Sequence, residues 1–175
     1  MSIGNPRPLF SATQLQRKIR AMGKRISEDY AGRSLHVVAL SNGAIIFSAD
    51  LIRAIKLPMR YDVIAASSYR GATKSSGKVS IGGEEQIELA GQDVLLVDEI
   101  LDSGRTLSAV SAAILKKNPA SLKICVLLDK PSRRVMPVHA DYVGFEIEDL
   151  FVVGFGLDHK ELYRNLPFIG IIEEN

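Results

Sequence analysis

The sequence predicts an α/β fold in which helices flank a mostly parallel central sheet, with a small cap formed by the terminal segments. Two observations lead to this prediction. Between residues 11 and 128, segments with apolar residues at helical spacing alternate with short apolar runs that resemble strands. One of these runs, Gln92 to Val97, ends in four consecutive apolar residues. Such continuous apolar runs are typical of strands that are buried on both faces of a parallel sheet.

The first helix is predicted to begin at Ser11 and to end near Gly32. Ser11 and Gln14 have the spacing of a capping box, in which each residue satisfies a backbone N–H group of the other. Apolar residues then recur on one face of the predicted helix. These residues are Leu15, Ile19, Met22 and Ile26.

Strands and helices are predicted to alternate over the next part of the chain. The predicted strands are Leu35 to Leu40, Tyr61 to Ala66, Gln92 to Val97 and Leu122 to Leu128. The two further helices are Ala44 to Ile55 and Thr106 to Lys117. A polar stretch rich in serine and glycine, Ser67 to Ser80, interrupts the pattern, and short apolar runs after Asp141 predict strands and a small cap. Since no repeat or linker is visible, we predict one domain spanning residues 1–175.

Composition and charge exclude several classes of protein. The 22 basic and 20 acidic residues give a net charge of +2 without a long block of like charge, so nucleic-acid binding is not expected. A single cysteine, Cys125, cannot form an internal disulfide, and its apolar surroundings predict a buried structural thiol. The first ten residues do not resemble a secretion signal, and no apolar run approaches the ~20 residues that cross a bilayer. We therefore expect a soluble cytoplasmic protein without membrane contact.

The strongest functional signal lies in residues 94–106, where a buried strand leads into acidic residues and then into a glycine-containing turn that opens a helix. Backbone N–H groups at a helix start lack partners, so residues 102–106 can hold a phosphate with the help of the Ser103 and Thr106 hydroxyls. Gly104 allows the backbone to approach such a ligand closely. This arrangement suits a phosphorylated substrate.

Two adjacent carboxylates, those of Asp98 and Glu99, precede this turn. They can accept hydrogen bonds from neighbouring sugar hydroxyls or face a phosphate-bound Mg²⁺. Taken one at a time, such acids are more often solvated residues at a strand end, and Asp102 is more often a helix N-cap. Their order behind four apolar strand residues favours the functional interpretation.

Residues 94–106 resemble the phosphoribosyl pyrophosphate motif of the type I phosphoribosyltransferases, which has this order of apolar run, acid pair, Asp, small residue, Gly and Thr. Most of the chain beyond the first helix also resembles the hypoxanthine-guanine branch of that family. The segments that carry this second resemblance are Ser67 to Tyr69, Leu128 to Pro131, Phe151 to Gly154, Asp158, and Tyr163 to Pro167. The resemblance implies transfer of a phosphoribosyl group to hypoxanthine or guanine, which releases pyrophosphate and forms IMP or GMP in purine salvage.

The resemblance also implies roles around the base. Asp102 would be the acid-base residue at a purine ring nitrogen, and Lys130 would donate to the 6-oxo group, which adenine lacks. Phe151 would stack on the purine, while the Val152 backbone and Asp158 would lie near its edge. Without the resemblance, a surface lysine and a core phenylalanine are the more common interpretations.

Further implied residues bind the phosphoribosyl pyrophosphate. Asp98 and Glu99 would orient the ribose, and its 5′-phosphate would lie on Asp102, Ser103, Gly104, Arg105 and Thr106. Pyrophosphate would contact Asn42, Gly43 and Arg164. A Mg²⁺ ion bound with pyrophosphate would face Asp158, Asp98 and Glu99. Ser68, Tyr69 and the stretch that follows would form a lid that excludes water.

Two departures from the family pattern concern this site. Where many relatives have Leu-Lys-Gly in the pyrophosphate loop, this chain has Ser41-Asn42-Gly43, which removes a lysine charge. The acid pair reads Asp98-Glu99, whereas many close relatives have Glu-Asp. Two alternatives stay open, namely a xanthine-preferring transferase and a nucleic-acid-binding regulator that senses phosphoribosyl pyrophosphate. Because relatives are dimers or tetramers, we expect a homodimer or homotetramer.

Overall fold

The computed structural model of this chain describes residues 5–68, 79–83 and 87–172. The strands are β1 (Arg7–Phe10), β2 (Leu35–Ser41), β3 (Arg60–Ser68), β4 (Val79–Gly82), β5 (Asp93–Leu101), β6 (Ser121–Asp129), β7 (Tyr142–Glu146), β8 (Val152–Val153) and β9 (Ile169–Ile171). The α-helices are α1 (Ala12–Asp29), α2 (Ala44–Ala54) and α3 (Arg105–Leu115), and a 3-10 turn occupies Pro131–Arg133. No helix within these described ranges is long and apolar enough to cross a membrane.

Six strands form the central sheet in the order β4, β3, β2, β5, β6, β7. The five strands from β3 to β7 in this order are parallel, and β4 joins the edge antiparallel to β3. A second sheet pairs β1, β9 and β8 antiparallel and so joins the two ends of the described chain. The predicted α/β fold with a small cap from the terminal segments is confirmed.

Both faces of the central sheet are covered, because consecutive side chains in a strand point to opposite faces. One set of alternating residues, including Val37 and Leu95, packs on α1 and α2. The other set, including Val38 and Leu96, packs on α3. The run of apolar residues in β5 is therefore continuous because both faces of the strand are buried, as the sequence predicts. Cys125 is buried in the first of these clusters.

The first helix begins as its sequence predicts. The Ser11 backbone N–H donates to the Gln14 side chain at 2.9 Å, and the Gln14 N–H donates to the Ser11 hydroxyl at 3.3 Å, which completes the capping box. The predicted apolar face of α1 is buried. The helix ends at Asp29, three residues before Gly32, where the chain turns toward β2.

Three features differ from the sequence prediction. Strand β5 continues to Leu101, because residues 98–101 still pair with β6, so the acid pair lies inside the strand instead of after it. The ends of the polar stretch Ser67 to Ser80 form an antiparallel pairing between β3 and β4. The short strand β1 was not predicted, because four residues that include a proline give little periodic signal.

A polar cluster at the amino-terminal ends of the parallel strands joins the starts of β2, β5 and β6. Arg33 pairs with the Asp93 carboxylate, which also accepts a hydrogen bond from the Ser121 hydroxyl at 2.6 Å. Burial by itself would raise the pKa of Asp93, but the hydrogen bonds from Ser121 and Arg33 outweigh it and hold that pKa below its ordinary value. The ionised form of Asp93 therefore stabilises the fold.

Replacing Asp93 by Asn should lower the free energy of unfolding at pH 7 by about 1–3 kcal/mol, because Arg33 and Ser121 lose a charged acceptor. The native pKa lies below that of the unfolded chain, so this contribution is present above about pH 4 and is lost as the pH falls further. Urea unfolding of the wild type and of the variant at pH 7 and pH 3 measures this contribution to the free energy of unfolding. A difference that stays constant between these pH values would contradict the prediction.

Candidate functional site

A cavity of about 690 Å³ lies at the carboxyl ends of the parallel strands. Parallel strands bring their carboxyl ends to one edge of the sheet, where α/β proteins bind ligands. The loops after β2 and β5 and the segment between β8 and β9 line this cavity. The predicted site residues in its lining are Asn42, Gly43, Asp98, Glu99, Asp102, Ser103, Gly104, Thr106, Asp158 and Arg164.

The remaining predicted site residues do not line this cavity. Lys130 and Phe151 lie in the neighbouring loops after β6 and β7, Val152 begins β8, and Arg105 is exposed at the start of α3. The backbone of Ser68 ends β3, whereas Tyr69 lies outside the described residues. A larger cavity, of about 880 Å³, lies between α1 and α2. It contains none of the predicted residues, so we place the site in the smaller cavity.

The two acids of β5 differ in exposure, since Asp98 is buried and Glu99 is partly exposed. Asp98 is buried, and its Oδ1 accepts the Glu99 backbone N–H at 2.9 Å. Burial raises the pKa of Asp98 well above its ordinary value, and the neighbouring charge of Glu99 raises it further. One of the two predicted carboxylates is thus hidden from bulk water.

Glu99 extends over the loop that follows β2. A Cβ atom built on Gly43 would lie 2.0 Å from Oε1 of Glu99, far inside van der Waals contact. Residue 43 therefore has to be glycine unless the Glu99 carboxylate moves away. This contact places the acid pair directly beside the predicted pyrophosphate loop.

The predicted phosphate turn has the geometry of an anion site. Gly104 has a φ angle of +81° and is the N-cap of α3, so the N-cap residue offers no side chain to this helix start, and the Ser103 hydroxyl accepts the Arg105 N–H at 3.5 Å. The next N–H groups of α3 are therefore left for another acceptor. Asp102 is not the N-cap, so its carboxylate is available for a different role.

The Asp102 side chain turns one oxygen into a buried position. Its Oδ1 has no hydrogen-bond partner among the described residues, and the nearest cationic atom there is Nε of Arg133, at 3.4 Å. A buried carboxylate oxygen without a donor is costly unless a ligand supplies one. This geometry suits an acceptor for a substrate N–H group.

Asp158 and Arg164 form an ion pair on the far wall of the cavity. Oδ1 of Asp158 lies 2.8 Å from Nη2 of Arg164, whose Nη1 donates to the Gly156 carbonyl at 2.7 Å. Oδ2 of Asp158 accepts the Glu161 backbone N–H at 2.9 Å. The guanidinium is thus held beside the cavity with N–H groups that suit a phosphate.

Lys130 and Phe151 lie in the segments that follow β6 and β7. Lys130 is only 7% exposed, with Nζ 3.9 Å from Oδ1 of Asp149, so it is not the surface lysine of the alternative interpretation. Phe151 is 39% exposed and packs edge-on against the His159 ring at 5.3 Å. A partly exposed aromatic ring and a sheltered ammonium are side chains that suit a planar heterocycle carrying a carbonyl oxygen.

Sequence reasoning missed three residues at this site. Glu161 lines the cavity, and Arg133 and Asp149 connect Asp102 with Lys130. An arginine four residues beyond a strand end and an isolated aspartate are common on protein surfaces. Neither residue could therefore be distinguished before the loops were placed.

The phosphoribosyl transferase domain family matches residues 9–160 of this chain. The chain belongs to that family. The predicted fold class and the predicted family of this chain are both confirmed. The match includes the acid pair, the phosphate turn and the loops after β6 and β7.

Individual relatives of this phosphoribosyl transferase domain are similar over most of its length. A hypoxanthine-guanine phosphoribosyltransferase from Streptococcus thermophilus is 39% identical over 95% of this chain and 92% of its own. The crystal structure of a hypoxanthine-guanine phosphoribosyltransferase from Bacillus anthracis is 41% identical, with a TM-score of 0.90 over 98% of this chain and 100% of that one.

A third relative has a different length. The bifunctional protein TilS/HprT from Listeria innocua is 44% identical over 94% of this chain. This chain spans about a quarter of that relative, with 26% of its length covered.

Replacing Asp98 by Asn should raise the free energy of unfolding at pH 7 by about 1 kcal/mol or more, since an amide removes a buried charge and still accepts the Glu99 N–H. Because the native pKa is raised, the protonated form of Asp98 is the stabilising one. The gain should therefore be smallest near pH 4 and grow as the pH rises through the native pKa. Chemical denaturation between pH 4 and pH 8 tests this. Lower stability of the variant throughout would show that cationic partners hold Asp98 ionised.

Proposed function

We propose that this chain transfers the phosphoribosyl group of phosphoribosyl pyrophosphate to hypoxanthine or guanine. The products are pyrophosphate and IMP or GMP, and the reaction is a step of purine salvage. One observation carries the proposal: a single cavity holds the acid pair of β5, the uncapped start of α3 and the Arg164 guanidinium. The names of the similar proteins from Streptococcus thermophilus and Bacillus anthracis support the same activity.

The phosphoribosyl part of the substrate extends along β5 and α3 in this proposal. The 5′-phosphate accepts hydrogen bonds from the first N–H groups of α3 and from the Ser103 and Thr106 hydroxyls, with the charge of Arg105 nearby. Asp98 and Glu99 orient the ribose hydroxyls. These contacts place the anomeric carbon between the acid pair and Asp102.

Pyrophosphate lies on the opposite side of the sugar. The backbone of Asn42 and Gly43, at the start of α2, supplies N–H donors there, and Arg164 supplies the charge. With asparagine at position 42, Arg164 is the cation of this cavity that we assign to pyrophosphate. Its position is set by the ion pair with Asp158.

The base binds beside Asp102. Lys130 donates to the 6-oxo group, Phe151 stacks on the ring, and the backbone near Val152 together with Asp158 meets the opposite edge. An amino group at position 6, as in adenine, would present donors to the Lys130 ammonium and is disfavoured.

The reaction exchanges one bond at the anomeric carbon for another. The bond from that carbon to the pyrophosphate oxygen breaks, and a purine ring nitrogen forms the new bond. The proton leaves the other nitrogen of the five-membered ring, which lies beside the 6-oxo group, and passes to the Asp102 carboxylate, whose buried oxygen lacks a donor in the described residues. The positively charged sugar that develops between these events has to be kept from water, which we assign to a lid that includes Ser68 and Tyr69.

The donor set of the cavity fits a Mg²⁺ ion that arrives with the substrate. No three acidic, histidine or cysteine side chains of the described residues lie close enough to hold an ion alone. Mg²⁺ in phosphate sites is usually bound by one or two carboxylates and by substrate oxygens, and Asp158, Asp98 and Glu99 lie in or beside this cavity. Such an ion neutralises the charge of the leaving pyrophosphate.

We further propose that the protein is cytoplasmic and forms a homodimer or homotetramer.

Product formation with phosphoribosyl pyrophosphate and Mg²⁺ tests the proposal when hypoxanthine, guanine, xanthine, adenine and uracil are offered separately. We expect nucleotide from hypoxanthine or guanine and none from adenine, because Lys130 is a donor. Xanthine as the best substrate would support the xanthine-preferring alternative. Turnover of adenine or uracil alone would contradict the proposed base site.

Replacing Asp102 by Asn should lower kcat about 10²- to 10⁴-fold and change the KM for hypoxanthine much less, because an amide cannot take up the proton. Steady-state kinetics of the variant and the wild type measure this difference. A KM effect that exceeds the kcat effect would assign Asp102 to binding instead.

A further inference from the structure

Arg133 links two loops at the base side of the cavity. It ends the 3-10 turn after β6, and its Nε lies 3.4 Å from Oδ1 of Asp102, in the loop after β5. Its Nη1 lies 3.3 Å from Oδ2 of Asp149, in the loop after β7. The guanidinium thus forms an ion pair with Asp102 through Nε and donates a hydrogen bond to Asp149 through Nη1.

Asp149 continues this chain of charges to Lys130. Its other oxygen, Oδ1, lies 3.9 Å from Nζ of Lys130. The Lys130 side chain is largely sheltered from water, so its ammonium gains more from a fixed counter-charge than an exposed lysine does. Four side chains therefore alternate in charge from Asp102 through Arg133 and Asp149 to Lys130.

The adjacent arginine, Arg134, has a different part in the structure. It pairs with Asp129, and its Nη1 donates to the carbonyls of Leu101 and Asp102 at 3.0 and 2.5 Å. Arg134 therefore holds the backbone of the loop, and its side chain is only 17% exposed. The Arg133 side chain is 54% exposed, and its ion pairs are with the side chains of Asp102 and Asp149. It therefore contributes less than Arg134 to holding the backbone of the loop.

We propose that Arg133 is a positioning residue that, together with Asp149, sets the spacing between the Asp102 carboxylate and the Lys130 ammonium. This inference rests on the proposed function. It adds that two residues outside the predicted site join the proton acceptor to the donor for the 6-oxo group.

The chemistry of the base explains why that spacing is important. In a 6-oxopurine, the carbonyl oxygen and the adjacent N–H of the five-membered ring lie on the same edge. One donor and one acceptor at a fixed separation therefore recognise both groups together. If the carboxylate and the ammonium moved independently, each would have to be ordered again when the base binds.

Kinetics of Arg133→Gln test this inference, with Arg17→Gln on the exposed face of α1 as the matched control. We expect kcat/KM for hypoxanthine to fall about tenfold in Arg133→Gln, while the KM for phosphoribosyl pyrophosphate stays within about twofold of wild type. Arg133→Lys should lie in between, because a single ammonium retains the charge but cannot bridge both carboxylates as the planar guanidinium does. Thermal unfolding should be nearly unchanged in Arg133→Gln and clearly lowered in Arg134→Gln.

Asp149→Asn interrupts the same chain of charges without changing Arg133 and gives an independent result. It should lower kcat/KM for hypoxanthine, and combining it with Arg133→Gln should cost less than the product of the two single effects. Normal hypoxanthine kinetics in both single variants of an active enzyme would overturn the inference and leave the proposed function intact. A wild-type protein that turns over neither hypoxanthine nor guanine would overturn both.

Discussion

The structure depends on the burial of β5 in the middle of the sheet. This strand pairs with β2 on one side and β6 on the other, and helices cover both of its faces. Apolar side chains fill its centre, from Val94 to Val97, and polar side chains follow at the point where the strand reaches the cavity. That point lies at Asp98 and Glu99. The same packing that forms the core therefore determines where the chemistry of the cavity begins.

Charge balance at the carboxyl edge of the sheet follows from this arrangement. Asp98, Glu99, Asp102 and Asp158 all lie in or beside one cavity, and Arg164 and Arg133 contact two of them. The proposed substrate, which carries both a phosphate and a pyrophosphate group, would be repelled by the carboxylates if they acted without these arginines, the start of α3 and a divalent cation. The cavity is thus suited to an anionic sugar that brings its own metal.

Much of the fold and of the candidate site could be predicted from the sequence because the signals were local. Helix α1 has a capping box and a regular apolar face, and the phosphate turn has its residues in one continuous segment. The ion pairs of Arg133 could not be predicted, because its partners Asp102 and Asp149 are 31 and 16 positions away and meet only when β5, β6 and β7 are parallel neighbours. The short strands β1 and β4 were missed because each depends on pairing with a distant or antiparallel partner.

The two departures from the family pattern lie against each other in space. Glu99, the longer acid of the pair, extends over Gly43, and Asn42 is the adjacent residue of the same loop. Both orders of the acid pair put a carboxylate at this place, so it is the loss of the lysine that makes the pyrophosphate side of the cavity more negative than in relatives that keep it. Backbone N–H groups at the start of α2 carry only partial charge. Under the proposed function, more of the binding energy for pyrophosphate therefore has to come from Arg164 and from a cation bound with the substrate, which gives the Asp158–Arg164 pair a larger part than in relatives that keep the lysine.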